Sequence, residues 1–89
     1  MPTISIFFGM VITMYWNDHP PAHYHVRYKD HRAVIAIQSG ELLHGSLPAG
    51  VRRALEGWTE RHRSELMANW ERAERGVALW PIQGADEDE

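Results

Sequence analysis

The chain is organised around Asn17-Asp18-His19-Pro20-Pro21-Ala22-His23-Tyr24-His25-Val26-Arg27-Tyr28-Lys29. It begins as a loop stiffened by two prolines, because proline fixes φ and pushes the preceding residue toward extended backbone. From His23 onward, polar and apolar residues alternate, and successive side chains of a strand point to opposite faces. We therefore predict a strand with one polar and one core-facing side: His23, His25, Arg27 and Lys29 on the first, and Tyr24, Val26 and Tyr28 on the second.

The polar side of this strand is where the sequence indicates chemistry. Two imidazoles on one side of a strand can act as general acid and base on a phosphodiester, while nearby cations neutralise the phosphate. The predicted catalytic residues are His23, His25 and His19. The predicted substrate-binding residues are Arg27, Lys29, Asp18, which would orient a histidine ring, and Tyr15.

The same histidines allow three other interpretations. His19, His23 and His25 together offer three nitrogen ligands and an open position, which is typical of a catalytic site for a divalent metal such as zinc. The polar side could also bind phosphate without catalysis, or be an ordinary solvent-facing strand. The His23–His25 pair alone does not choose among these, so a metal cofactor stays an alternative to a site without any cofactor.

The rest of the chain predicts an α+β fold. Apolar and β-branched runs predict strands at 4–8, 11–16, 23–28, 32–37 and 42–47, joined by turns short enough for antiparallel pairing. After Pro48, apolar residues recur every three or four positions, which predicts amphipathic helix as far as Gly76. One helix of this length is long for so small a domain, so we expect a break near His62, with Ser64 capping a second helix. The prediction is an antiparallel sheet of four or five strands, followed by one kinked helix or two C-terminal helices packed on one face.

Length and charge predict one domain and an acidic tail. The 89 residues predict a single α+β domain over residues 1–82. Residues 83–89 hold four acids, Asp86, Glu87, Asp88 and Glu89, and predict a disordered end. The formal net charge is −3, but eight acidic and nine basic residues remain when these four are set aside. The body is therefore near neutral, and composition alone does not indicate nucleic-acid binding.

Several function classes are excluded by what the sequence lacks. It has no cysteine, which excludes disulfides, thiolate metal sites and cysteine nucleophiles and fits a reducing compartment. It also has no glycine-rich phosphate loop, no serine-hydrolase elbow and no HExxH motif. Residues 1–6 have neither a basic lead nor a long apolar run, so we expect no signal peptide, no membrane partner and a cytoplasmic location.

A family motif is visible in the same loop and strand. Asp18-His19, Pro21 and His23-Tyr24-His25-Val26 match a pattern of an acidic residue and a histidine, prolines, and then His-aromatic-His-Val. Gly45-Ser46-Leu47-Pro48 and Asn69-Trp70-Glu71 add further matches. In these residues the chain resembles a bacterial family of short uncharacterised proteins, catalogued only as a numbered domain of unknown function.

The resemblance implies a setting but no reaction. Members of the family are often encoded beside a second short protein, and this type is the suspected toxin of a toxin–antitoxin pair. The resemblance implies a protein encoded nearby as a partner. The histidine strand adds the reaction that we expect, a ribonuclease-like action on a phosphodiester with RNA as the substrate. The alternatives are a non-enzymatic partner-binding module, accessory or antitoxin-like, and a histidine metal-binding protein. Free sheet edges also make a homodimer plausible.

Overall fold

A computed structural model describes residues 2–88 and shows a five-stranded antiparallel sheet followed by two helices. The strands are β1 (Thr3–Phe7), β2 (Met10–Thr13), β3 (His23–Tyr28), β4 (His31–Ala36) and β5 (Leu42–Gly45). They pair in sequence order, each with the next. The helices are α1 (Ala49–Arg61) and α2 (Arg63–Glu74), and a 3₁₀ turn, η1, spans Ala85–Glu87. The predicted α+β fold is confirmed.

The strand ends differ from the prediction where the backbone turns early. β1 stops at Phe7 because Phe8 and Gly9 have φ of 51° and 76° and form a two-residue hairpin loop. Two positive φ values in such a loop are typical of a type I′ turn. β2 ends at Thr13, so Tyr15 leaves the strand instead of continuing it as expected.

β5 is also shorter than expected. It ends at Gly45, a position that only glycine can occupy. Gly45 has φ of 86°, and a Cβ placed there would lie 1.9 Å from the carbonyl oxygen of Arg32. The register between β4 and β5 shifts between Val34 and Ile35, next to this close approach. This register shift is a β-bulge or similar irregularity in the β4–β5 pairing.

Both helices pack on one face of the sheet, and the core lies between the two layers. The Trp58 ring is fully buried against the rings of Phe7 and Tyr24, with centroids 5.0 and 5.7 Å away. The Tyr24 hydroxyl lies 2.6 Å from the Thr59 hydroxyl. The core-facing side predicted for β3 is thus the side under α1.

The predicted break in the helix is confirmed at His62, but the predicted cap is not. α2 begins at Arg63 with His62 as its N-cap residue, and no side chain caps it. Ser64 lies inside the first turn. The ring of His62 lies between two carboxylates instead, with Nδ1 2.6 Å from Glu65 and Nε2 3.0 Å from Asp88.

The sequence predicts a disordered tail at residues 83–89, and the structure shows contacts between this segment and α1. Trp58 donates its indole N–H to the Gln83 carbonyl at 2.9 Å, and Arg61 donates to Asp88 at 2.9 Å. Asp88 meets the basic side chains of Arg61 and His62 at the end of α1, which explains why the segment is held. Glu89 lies outside the described residues. Among residues 2–88, no helix has the length and apolarity needed to cross a membrane.

Candidate functional site: the open face of the sheet

The site begins in the loop between β2 and β3, where Asp18 is held against the start of β3. The backbone N–H of His19 donates to Asp18 Oδ1 at 3.0 Å. The other carboxylate oxygen, Oδ2, lies 2.8 Å from His23 Nε2 and 3.4 Å from His25 Nε2. One carboxylate therefore joins the two histidines that strand alternation places on the same side.

Hydrogen-bond partners fix the state of the His23 ring. Nδ1 lies 2.7 Å from the Pro21 carbonyl oxygen, which can only accept, so Nδ1 carries a proton and donates it. Nε2 faces the Asp18 carboxylate, which also accepts when it is ionised. The arrangement therefore needs a second proton on His23, or a cation in its place, between Nε2 and Asp18. His23 is 8% exposed and packs on Trp70, with ring centroids 5.1 Å apart. It is therefore a buried residue that holds Asp18 in place.

The electrostatics of Asp18 favour the carboxylate. Burial raises the pKa of Asp18, but hydrogen bonds from His23, His25 and the His19 backbone lower it, and the net pKa lies below its ordinary value. Asp18 is therefore ionised at neutral pH. It can orient an imidazole and stabilise the imidazolium form that results when the ring takes up a proton.

His25 is the histidine of this group that reaches the solvent. About a third of its side chain is exposed, and its ring meets the Tyr15 ring edge-on at 4.5 Å. Nε2 points to Asp18, while Nδ1 has no hydrogen-bond partner among residues 2–88. His25 is thus oriented through one nitrogen and free to exchange a proton at the other.

A pocket of about 380 Å³ lies on the sheet face that the helices leave open. Strand register explains which side chains line it: His25 and His44 both lie opposite Val34, one on each side of β4. In the next row, Arg27 lies directly opposite Arg32. The lining residues are Thr3, Val11, Thr13, Tyr15, His25, Val26, Arg27, Arg32, Ala33, Val34, His44 and Gly45.

The pocket is electropositive, since Arg27 and Arg32 line it and none of its lining residues is acidic. Arg27 and Arg32 are both exposed, and among residues 2–88 neither forms a salt bridge. Like charges directly opposite one another on neighbouring strands destabilise a sheet. An anion bound between the two guanidinium groups would remove this repulsion.

The structure brings together most, but not all, of the predicted residues. Asp18, His23 and His25 form one hydrogen-bonded group, and Tyr15 and Arg27 line the pocket beside it. Lys29 does not join them: it lies in the β3–β4 loop with φ of 52°, and its Nζ is 5.4 Å from the centroid of the Tyr28 ring.

The group that can hold a metal ion has a different third ligand from the predicted one. His19 has an exposed side chain and lies outside the group. Ligand atoms of Asp18, His23 and His25 all lie within 4.8 Å of one another. Asp18 replaces His19 because its side chain turns back toward β3, while the backbone of His19 supplies only an N–H.

Among the basic residues of the pocket, sequence reasoning missed Arg32 and His44. The short β3–β4 loop is a usable signal for Arg32, because a two-residue loop after Tyr28 places Arg32 opposite Arg27. His44 gave no comparable signal. Its position depends on the register shift between β4 and β5, which the sequence does not reveal.

Fold and site together define a small α+β protein with an open, cationic sheet face and an Asp–His group at its margin. The family model described as "Domain of unknown function (DUF4160)" matches residues 9–71, well over half of the chain. The chain belongs to this family. Comparison with curated proteins found no match, and comparison with solved structures found none either.

Proposed function

We propose that the protein binds a phosphodiester on the open face of its sheet and cleaves it as a ribonuclease does. The observation that carries this proposal is the Arg27–Arg32 pair, which faces a pocket without acidic residues, beside His25 and His44. Arginine is well suited to phosphate because its planar donors bind two oxygens at once. The resemblance noted above makes a toxin-like role in a bacterial cytoplasm, beside a protein encoded nearby, the expected setting.

The chemistry needs one base and one acid across the bound phosphate. Nδ1 of His25 takes the proton of a ribose 2′-hydroxyl, and Asp18 stabilises the imidazolium that forms. The 2′-oxygen forms a bond to phosphorus while the bond from phosphorus to the 5′-oxygen breaks. His44, protonated at the start, gives its proton to that 5′-oxygen. The products are a 2′,3′-cyclic phosphate and a 5′-hydroxyl end, and no co-reactant is consumed.

The placement of the two histidines supports these roles. His25 and His44 are on strands separated by β4, so their Cα atoms are about 10 Å apart, two strand spacings. Both side chains line the same pocket of about 380 Å³, which has room for one phosphate between them. Arg27 and Arg32 in the next row stabilise the charge that develops on the phosphate oxygens.

The test is cleavage of single-stranded RNA by untagged protein in the presence of EDTA. His25→Gln and His44→Gln should each reduce the cleavage rate by about 10²- to 10⁴-fold, because each removes an acid–base group. His31→Gln is the matched control, since His31 stacks on Tyr28 outside the pocket and should cleave normally. Circular dichroism melts confirm that the variants are folded.

The products sharpen the test. RNA with a single 2′-deoxyribose at the cleavage site should resist cleavage there, because the attacking hydroxyl is missing. Folded His25→Gln and His44→Gln proteins that cleave at the normal rate would overturn the assignment. So would the absence of cleavage of every single-stranded RNA tested.

A second candidate function is binding of a divalent metal ion, and one observation favours it. Asp18, His23 and His25 converge on one point, and His23 donates its other N–H to a carbonyl, as metal-bound histidines commonly do. Metal analysis of untagged protein should then find one ion per chain, lost in Asp18→Asn and retained in His19→Gln. Cleavage that EDTA abolishes would favour this candidate over metal-free acid–base chemistry.

Partner binding stays a prediction. Co-expression with the protein encoded nearby, followed by gel filtration, should give a complex if the toxin-like role is right. The same experiment on the chain alone reports whether it forms a homodimer.

A further inference from the structure

His62, at the junction of the two helices, has a carboxylate at each of its two ring nitrogens. Nδ1 lies 2.6 Å from Glu65 Oε1, and Nε2 lies 3.0 Å from both carboxylate oxygens of Asp88. An ionised carboxylate only accepts hydrogen bonds, so each ring nitrogen must carry a proton and donate it. The arrangement therefore requires the imidazolium form of His62, because the neutral ring can donate to only one of the two carboxylates.

The charged groups at this ring come from three elements. Asp88 belongs to the C-terminal segment, residues 83–88, Glu65 belongs to α2, and Arg61 at the end of α1 donates to Asp88 at 2.9 Å. Burial raises the pKa of Asp88, but hydrogen bonds from Arg61 and His62 lower it, and the net pKa lies below its ordinary value. Asp88 is therefore ionised at neutral pH, and histidine is the side chain in this group whose charge changes near that pH.

The C-terminal segment covers one end of the core. Its Gln83 carbonyl accepts the indole N–H of the buried Trp58 at 2.9 Å, and a Cβ added to Gly84 would lie 2.7 Å from the Cβ of Phe7. The Trp58 ring also packs on the His62 ring, with centroids 5.5 Å apart. Movement of the segment would therefore expose apolar surface of Phe7 and Trp58 and remove the acceptor of a buried indole N–H.

We propose that the C-terminal segment binds α1 reversibly and that protonation of His62 holds it in place. Below the pH at which His62 titrates, the imidazolium donates to Asp88 and Glu65, and the segment is closed over the core. As the pH rises through this titration, the ring loses one donor and its charge, and the segment opens. Histidine ordinarily titrates near pH 6.5, so changes around neutral pH move this equilibrium. The contact lies on the helix side of the sheet and is independent of the proposed phosphodiester site.

The experiment follows the segment by NMR of ¹⁵N-labelled full-length protein between about pH 5 and about pH 8.5. The amides of residues 84–88 and the Trp58 indole N–H should move together, with the same midpoint as the His62 ring protons. Protection of this indole N–H against exchange should fall about tenfold across the transition, because a hydrogen bond between charged groups is lost. Signals of the segment that stay unchanged while His62 titrates would overturn the proposal.

Asp88→Asn and Asp86→Asn are a matched pair, because each removes one negative charge from the same segment. Asp88→Asn removes the carboxylate at Nε2 of His62, so the segment should be open at both ends of the pH range. Asp86 is exposed and forms no salt bridge among residues 2–88, so Asp86→Asn should keep the normal transition. Equal transitions in the two variants would contradict the proposal.

A third variant and the core signals complete the test. His62→Gln should abolish the pH dependence, and Asp88→Asn keeps the test valid if His62→Gln does not fold. The amides of the buried Ile35 and Val26 should not move with those of the segment. A transition that moves the core amides to the same extent would be unfolding of the whole chain, and it would overturn the proposal.

Discussion

The two faces of the sheet are built from the same strands, but they carry different kinds of side chain. Under the helices, β3 and β4 present Tyr24, Val26 and Ile35, which are all buried. On the open face the same two strands present His25, Arg27 and Arg32, which are half-buried or exposed. Because successive residues of a strand face opposite sides, one residue can contribute to stability and the next to binding. Substitutions at adjacent positions should therefore affect different properties.

The largest difference in stability is expected at two neighbouring residues of β4. Ile35→Ala should lower the free energy of unfolding by about 2–5 kcal/mol, because it leaves a cavity in the core. Val34→Ala, on the half-buried open side, should cost well under half of that. Urea denaturation of both variants measures the difference, and equal losses would mean that the open face is covered in solution.

A smaller loss is expected at the buried hydroxyl pair under α1. Tyr24→Phe should cost about 1–3 kcal/mol, because the Thr59 hydroxyl, fully buried, loses its partner. Burial raises the pKa of Tyr24 well above its ordinary value, so the hydroxyl stays neutral at any pH used. The double variant Tyr24→Phe/Thr59→Val should recover part of the loss. A double variant less stable than both single variants would contradict this assignment.

On the open face, two basic residues two positions apart in sequence should behave differently. Arg27→Gln should reduce RNA cleavage about tenfold or more, because it removes half of the Arg27–Arg32 pair. Lys29→Gln should change cleavage by less than about twofold, since its amine lies over the Tyr28 ring in the loop. Cleavage rates under identical salt conditions provide the comparison, and an equal loss in both variants would place the phosphate nearer the loop.

The smallest effect is a pH dependence at the margin of the site. The folded state holds the pKa of Asp18 below its unfolded value of about 3.9, so Asp18 stabilises the fold above that pH. This contribution should disappear as the pH falls through the folded pKa. The stability difference between the normal protein and Asp18→Asn should therefore shrink below about pH 4. A difference that grows in acid would contradict the pairing with His23 and His25.

The fold could be predicted from the sequence to a large extent, since its signals are local. Alternation in residues 23–28 gave both ends of β3 correctly, and the helical period after Pro48 gave the helices and their break at His62. The errors lie where tertiary contacts decide. The C-terminal segment contacts Arg61 and His62, which are far away in sequence. β2 ends at Thr13, and Tyr15 beyond it packs against His25 of the neighbouring strand.

Only the part of the candidate site that lies on a single strand, β3, could be predicted from the sequence. Alternation placed His25 and Arg27 on the open face, and it also grouped His23 with them, although packing on Trp70 turns that ring away from solvent. Arg32 and His44 come from neighbouring strands, and His44 is aligned only through the irregular β4–β5 register. The near-neutral composition did not indicate the cationic pocket, because the net charge of a chain does not report how its charges are distributed over the surface.

The most direct measurement is an NMR titration of ¹⁵N-labelled protein with uncleavable single-stranded 2′-O-methyl RNA. If the open face binds a phosphodiester, the largest chemical-shift changes should fall on the backbone amides of His25, Arg27, Arg32 and His44, and the exposed side of α1 and α2 should be unaffected. Changes confined to the helices would contradict the assignment of the site. The absence of any change at saturating RNA would contradict phosphodiester binding itself.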